Sequence, residues 1–516
     1  MIDTKALREK VLDLAIRGKL VSQDPNDEPA SVLLERIRAE KEQMVKEGKL
    51  KPKDIKNDTI IFKADDNLHY EQFKDGTVKC IEDEIPFKLP EGWAWVRLQT
   101  VCLKEIKRGK APKYAEKSST LVFAQKCNTK SGLINISLAR YLDETNLHKY
   151  PIELFTQYGD IIINSTGTGT LGRVGIFEQK DDIEHLPIIP DSHITTVRVF
   201  PNIVKKYMYL FLKTHQSFFE SSGEGSTNQK ELRPDVIKSF IVAIPPFNEQ
   251  KRIVKKFETA SEIINQLDAY TDNVKGIITV AKSKILDLAI RGKLVPQNPD
   301  DEPASVLLER IRAEKEELIK QGKIKRDKKE SVIFKGEDNS YYEDLPKNWS
   351  ICTLGDISEI ITGGTPSKSN KDYYNGSFPF FKPADLEQGV NTITPSEYLS
   401  DEGKNISRVI PAQSTLICCI GTIGKSGFAR CECATNQQIN AVIPYIDPKY
   451  VYYFCNSKFF INELQRNATA TTVAIINKSK TAEIPFLLPP FTEQNRIVMA
   501  IEVAFAQLDE ILNSIA

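Results

Sequence analysis

Leu12-Asp13-Leu14-Ala15-Ile16-Arg17-Gly18-Lys19-Leu20-Val21 returns as Leu286 to Val295, and the match extends with few changes from Leu12–Lys49 to Leu286–Lys323, an offset of 274. A second match has a different offset. Pro245-Pro246-Phe247-Asn248-Glu249-Gln250-Lys251-Arg252-Ile253-Val254 recurs as Pro489 to Val498, 244 residues further on. Together the offsets describe a circularly permuted repeat. On them Ala516 corresponds to Asp272 and Met1 to Lys275, so two residues of the repeat are missing at the join. A duplicated chain whose ends meet within one element is expected to close into a pseudo-twofold body with two similar but non-identical modules. Such a body suits a target with two unlike halves.

Working outward, Glu249 to Val295 carries apolar or small residues at Ile253, Phe257, Ala260, Ile264, Leu267, Thr271, Val274, Ile278, Ala281, Ile285 and Leu288. The steps alternate between four and three, a heptad seam that predicts a helix roughly 50 Å long packed lengthwise against another. Shifting the seam by the two offsets gives Ile497, Ile501, Ala504, Leu508, Ile511 and Ile515 near one chain end and Thr4, Leu7, Val11 and Leu14 near the other. The expected partner is therefore an antiparallel helix split between the termini. A long helix in an ordinary bundle is the alternative.

Gly18 and Gly292 are natural helix stops. After each, a Pro/Asp/Asn turn leads to a second helix, from about Ala30 to Glu47 in the first copy, with a narrow apolar stripe and many charges. Between the helices lie two modules aligned by Leu89-Pro90-Glu91-Gly92-Trp93 and Leu345-Pro346-Lys347-Asn348-Trp349, where short β-rich runs such as Asp160-Ile161-Ile162-Ile163 and Thr415-Leu416-Ile417 replace the helical pattern. The expected organisation is helices at 1–50, a linker at 51–88, a module at 89–244, central helices at 245–323, a linker at 324–344, a second module at 345–488 and a last helix at 489–516. Both linkers read as surface segments of low regularity. The fold class is α+β: two mixed α/β modules joined by a long antiparallel two-helix coiled coil.

Composition adds less. The chain has 516 residues, 70 basic and 70 acidic, with 41% apolar and 27% charged residues, which reads as globular and soluble. The zero net charge hides a difference: Trp93–Ile244 holds 20 Lys and Arg against 15 Asp and Glu, and Trp349–Leu488 holds 12 of each. Any nucleic-acid affinity would thus be shared with a partner. Nine scattered cysteines and a start without an apolar signal region favour a reducing cytoplasm, and no run approaches membrane-spanning length.

The enzymatic motifs fail on inspection. Gly167-Thr168-Gly169-Thr170-Leu171-Gly172 matches the dinucleotide pattern formally, but its counterpart Gly421-Thr422-Ile423-Gly424-Lys425-Ser426-Gly427 has lost the spacing, and no acidic strand end follows at the right distance. Gly424-Lys425-Ser426 lacks the first glycine of a phosphate loop. Ile244-Pro245-Pro246-Phe247 and Leu488-Pro489-Pro490-Phe491 lack the Asn or Asp that a methyltransferase uses to hold adenine. Cys418-Cys419 and Cys431-Glu432-Cys433 lack zinc-ligand spacing. No catalytic constellation emerges.

What recurs in both modules is a set of polar and basic side chains on Gly/Pro turns. Arg, Lys, Asn and Gln can read base edges in the major groove, and Ser, Thr and Lys can hold phosphates. In the first module the candidates are Lys110, Lys113, Tyr114, Gln125, Lys126, Asn128, Thr168, Thr170, Arg173, Asn228 and Lys230. In the second they are Thr365, Ser367, Lys368, Lys382, Thr422, Lys425, Gln437 and Thr471. His193 and Gln437 fall at aligned positions.

Two divergent modules framed by repeated helices, with Pro245 to Ile253, its copy at Pro489 to Ile497, and Gly363-Gly364-Thr365-Pro366-Ser367, resemble the specificity subunit of type I restriction-modification systems over essentially the whole chain. The resemblance implies that each module reads one half of a bipartite, asymmetric double-stranded DNA site while the helices fix the gap. It implies no catalysis by the chain itself and no cofactor on it. S-adenosylmethionine would sit on modification (adenine-N6 methyltransferase) subunits, two in number, and ATP with Mg on restriction (motor-nuclease) subunits, also two. Because the charged helices are duplicated, Leu33, Ile37, Met44, Leu307, Ile311 and Leu318 are candidates for holding the modification subunits. Module one departs from the family turn, with Arg108-Gly109-Lys110-Ala111-Pro112 where module two has Ile361-Thr362-Gly363-Gly364-Thr365-Pro366. A non-catalytic assembly scaffold and a stand-alone methyltransferase or nuclease are the rival readings.

Overall fold

Gly18 and Gly292 adopt φ of +65° and +64°, the left-handed conformation that lets a helix stop, and the helices Thr4–Ile16 and Phe247–Ile290 end just before them. The computed structural model describes residues 3–130, 132–178, 186–225, 230–322, 345–469 and 473–515. It divides into two compact units, one of Asp3–Ala269 and one beginning at Tyr270. Among the described residues no helix is long and apolar enough to cross a membrane.

In the first unit, strand Ala94–Arg97 pairs antiparallel with Ile241–Ile244, which brings the two ends of the module together. Inside it lies an antiparallel sheet in the order Val174–Ile176, Ile161–Asn164, Ile194–Val197, Lys107–Arg108. A second sheet runs Ile188–Pro190, Leu121–Phe123, Arg140–Leu142, Tyr114–Ala115, its first pair parallel. Ile161, Ile163, Val174 and Val197 are buried with Tyr207, Met208 and Phe211 of helix Lys205–Thr214 in one core. The second unit repeats this plan. Ser350–Thr353 pairs with Pro485–Leu488, and the main sheet runs Ser358–Thr362, Ile439–Pro444, Thr415–Cys418, Ser426–Phe428. Its smaller sheet again contains a parallel pair, Phe380 and Phe381 against Ala434 and Thr435.

The Pro-Pro-Phe-x-Glu-Gln-x-Arg-Ile repeat explains itself in both units. The Glu249 carboxylate accepts the Trp93 indole N–H at 3.0 Å and the Gln23 amide at 3.1 Å; Glu493 accepts those of Trp349 at 3.0 Å and Gln297 at 2.7 Å. Gln250 donates to the Pro245 carbonyl at 2.9 Å and accepts from the Val204 amide at 2.8 Å, while Gln494 bonds Pro489 and Asp447 in the same way, both at 3.0 Å. Arg252 pairs with Asp27 and Arg496 with Asp301, each at 2.5 Å. The motif ties the last strand of each module, the long helix that follows and the turn after the preceding repeat. Burial pushes both glutamates above the usual carboxylate range, against the opposing pull of their Gln and Trp donors.

Each unit also pairs a stretch of the long helix with a terminal one. Arg8 meets Asn265 and Asp268, both at 2.8 Å, and Lys282 meets Asp509 at 2.5 Å. All eleven seam residues from Ile253 to Leu288 are buried or half-buried, whereas Ile263, Tyr270, Ile277 and Val280 between them are exposed.

Two expectations need correction. The apolar stripes of helices Ala30–Lys46 and Ala304–Lys320 are not free surfaces: Leu33 and Ile37, and likewise Leu307 and Ile311, are at most 7% exposed and share the cores of Trp93 and Trp349. Met44 packs against the first of these cores and Leu318 is half-buried. Amphipathicity says which face is covered, not by what. The first linker is also ordered. Ile60–Lys63, His69–Gln72 and Val78–Cys80 form an antiparallel sheet, clamped to the module by Arg97 with Glu71 at 2.6 Å and Glu84 at 2.8 Å. Residues 324–344 lie outside the described residues.

Candidate nucleic-acid interface

In a sheet of antiparallel neighbours, the end of one strand lies beside the start of the next. Lys107–Arg108 and Ile161–Asn164 therefore finish at the edge where Val174–Ile176 and Ile194–Val197 begin. Four connections meet there: the turn from Gly109, the Gly/Thr turn 165–173, the bend 191–193, and the stretch 230–232, joined by the Leu232 amide to the Ser165 carbonyl at 2.8 Å. Gln125 arrives from the second sheet. Its side chain donates to Thr166 Oγ1 and accepts from Thr170 Oγ1, both at 3.0 Å, and Thr166 Oγ1 is 2.7 Å from His193 Nδ1. The network fixes the rim and leaves His193 exposed.

Most first-module candidates stand on this rim. Lys110, Lys113, Lys126, Thr168 and Lys230 are exposed, and Tyr114 is exposed with the Arg140 guanidinium 3.7 Å from its ring centroid. Among the described residues none of these four lysines has a carboxylate ion-pair partner. Two candidates turn out to be braces. Asn128 is fully buried and donates to the Arg173 carbonyl at 3.0 Å and Asn164 Oδ1 at 3.2 Å, so it cannot reach a ligand. The Arg173 guanidinium holds the Asn128 carbonyl at 2.6 Å and the Gly169 carbonyl at 3.0 Å. Asn228 lies outside the described residues.

The second unit builds the same rim with other side chains. Gly109 and Gly363 coincide by their bonds to Ile194 and Ile439, and neither has room for a Cβ, which would meet backbone or side-chain oxygen at 2.1–2.2 Å. Thr365, Ser367, Lys368, Thr422 and Gln437 are exposed, with Thr365 Oγ1 donating to Gln437 Oε1. Lys382 pairs with Glu397 at 2.8 Å and Lys425 with Glu387 at 2.9 Å, so this rim is closer to neutral. Thr471 lies outside the described residues.

The hydrogen-bond register corrects the alignment by one residue. Ile194 N bonds Asp191 O and Ile439 N bonds Asn436 O; the His193 amide bonds the Asp191 side chain at 2.8 Å and the Gln438 amide that of Asn436 at 3.1 Å. His193 is thus equivalent to Gln438, and Asp191 to Asn436. Burial pushes the Asp191 carboxyl above its ordinary range. Sequence reasoning passed over Gln438; the usable signal was its position immediately before the buried strand Ile439–Pro444. Among the described residues no three His, Cys, Asp or Glu side chains converge as metal ligands.

Two related α/β units on a duplicated helical frame, each with a polar rim at one sheet edge, define a two-module recognition protein. The chain matches the model of the type I restriction modification DNA specificity domain over residues 90–273 and 346–515, and it belongs to that family. It is 27% identical to the type I restriction enzyme EcoAI specificity subunit of Escherichia coli, across 99% of this chain and 89% of that protein. It is 26% identical to the EcoEI specificity subunit of the same organism, across 98% and 90%. A chain solved in work on complex assembly and conformational transition of the type I R-M system shares the fold at a TM-score of 0.53, with 19% identity over 83% of this chain and 94% of that one.

Proposed function

We propose that this chain chooses the DNA sequence on which a type I restriction-modification complex acts, each module reading one half of a bipartite, asymmetric site. The observation that carries the proposal is one rim built twice with different chemistry: His193 against Gln438 and Lys110 against Gly364, on a bend that buried Asp191 and Asn436 brace in the same way. A shared frame with changed contact residues is what two unlike half-sites require. Exchanging residues 89–244 for the corresponding module of a relative should change one half of the methylated motif and leave the other. Two altered halves, or none, would refute the assignment. At finer grain, His193→Ala should relax selection at one base position by roughly 1–3 kcal/mol in competition binding, with neighbouring positions unchanged.

On this reading the chain carries no catalytic group, and methylation and cleavage belong to partner subunits. The seam of the Phe247–Ile290 helix and its split sequence copies support an antiparallel coiled coil that sets the gap between half-sites. The partner surfaces are the outward faces of the charged helices. Val32, Glu35, Arg36, Ala39 and Glu40 are exposed and reappear unchanged as Val306, Glu309, Arg310, Ala313 and Glu314. Arg36 and Arg310 also pair with Glu28 and Glu302 within the chain; the repetition of the whole exposed face favours one partner type docking twice. Arg36→Glu together with Arg310→Glu should weaken co-purification of the modification subunit at least tenfold; undiminished capture would rule this surface out.

A further inference from the structure

Next to the first rim lies a cleft walled by the Lys104–Lys110 segment, the stretch around Tyr150–Leu154, and Thr196 and Arg198. Five cationic side chains line it: Lys104, Lys107, Arg108, Lys110 and Arg198. Arg198 is neutralised by Asp160 through bonds of 2.7 and 2.6 Å, and Arg108 by Glu231. Of the two glutamates in the wall, Glu105 is engaged by Lys238 at 3.0 Å. Of the three lysines Lys107 is exposed, and the other two are held differently. Lys104 Nζ donates to the Glu153 carbonyl, and Lys110 Nζ to the Lys149 carbonyl at 2.6 Å, with its ammonium 5.9 Å from the Tyr150 ring centroid. Carbonyls and a ring face fix the positions of these ammonium groups without cancelling their charge. Burial, helped by Arg198 and Lys107 and opposed by Asp160 and Glu153, pushes Lys104 down to about 8. A bound anion would relieve that strain. The second unit does not repeat the charges: strand register places Ile361, Thr362, Gly364 and Ile443 where the first has Lys107, Arg108, Lys110 and Arg198.

We propose that this cleft is a phosphate subsite that grips a DNA backbone phosphate flanking the half-site read by the first module, giving that module sequence-independent affinity that the second lacks. The inference rests on the rim being a DNA interface, and Gly109 and Lys110 belong to both features. The test uses the chain assembled with its modification subunits, titrated against a duplex carrying its methylation motif and a scrambled duplex across a range of salt. Lys104→Gln and the exposed Lys107→Gln should each flatten the slope of log K against log salt by about 0.9, equally on both duplexes, and leave the motif unchanged. Binding by the unaltered complex should weaken from pH 7 to pH 9 as Lys104 loses its proton; Lys104→Arg should abolish that pH dependence while keeping the slope. An unchanged slope in Lys107→Gln and Lys104→Gln, with motif binding intact, overturns the subsite alone, as does saturable binding of inorganic phosphate with no effect on the DNA slope. An unaltered complex without salt-sensitive motif binding overturns the reading of the rim itself.

Discussion

Lys41→Met should destabilise the first unit by roughly 3–5 kcal/mol, the range for removing one partner of a buried ion pair. Lys41 is 2% exposed, and its ammonium donates to Asp58 at 2.9 Å and to the Thr100 and Gln99 carbonyls at 2.9 and 3.4 Å. The pair joins the charged helix to the first linker, and burial already raises the Asp58 carboxyl although Lys41 opposes the shift. Without Lys41 the carboxyl rises further. A carboxyl that binds its proton more tightly folded than unfolded makes stability fall as pH rises through the folded pKa, so the variant should recover as pH is lowered. Lys41→Met with Asp58→Leu should regain most of the loss, because no buried charge is left unpaired. Urea unfolding, with hydrogen exchange to resolve the first unit, reads both variants against the unaltered chain. A loss below about 1 kcal/mol for Lys41→Met would mean that water reaches Asp58.

The second large effect falls on specificity. Deleting Ile263–Ala269 removes one heptad from the long helix, about 10 Å at 1.5 Å per residue. That corresponds to about three base pairs of duplex at 3.4 Å each. If the coiled coil sets the gap, the methylated motif should keep both half-sequences and lose about three unread positions. Changed half-sequences, or an unchanged gap, would remove the helix from its role as ruler.

The helical frame was legible because its determinants are local: a glycine that stops a helix, a heptad that repeats. The reason for the Glu-Gln-x-Arg motif was not, since Glu249 meets Trp93 and Gln23 from 156 and 226 residues away. The sheet at 60–80 escaped because Ile60-Ile61-Phe62-Lys63 and His69-Tyr70-Glu71-Gln72 do not alternate apolar with polar residues, and Val78-Lys79-Cys80 is too short for its alternation to register. Candidate rim residues were found by type and turn context, which locates a loop but does not separate a contact from a brace. Asn128, chosen as a base reader, is an internal strut for that reason. The slip from Gln438 to Gln437 is the characteristic error of a strand boundary, where one residue changes which side chain faces outward.

The central claim is that sequence choice resides in this chain. Co-expressing it with its modification subunit and mapping methylated adenines across a host genome tests that most directly. The account predicts a bipartite, asymmetric motif that disappears when this chain is omitted. The same motif written by the modification subunit alone would contradict it.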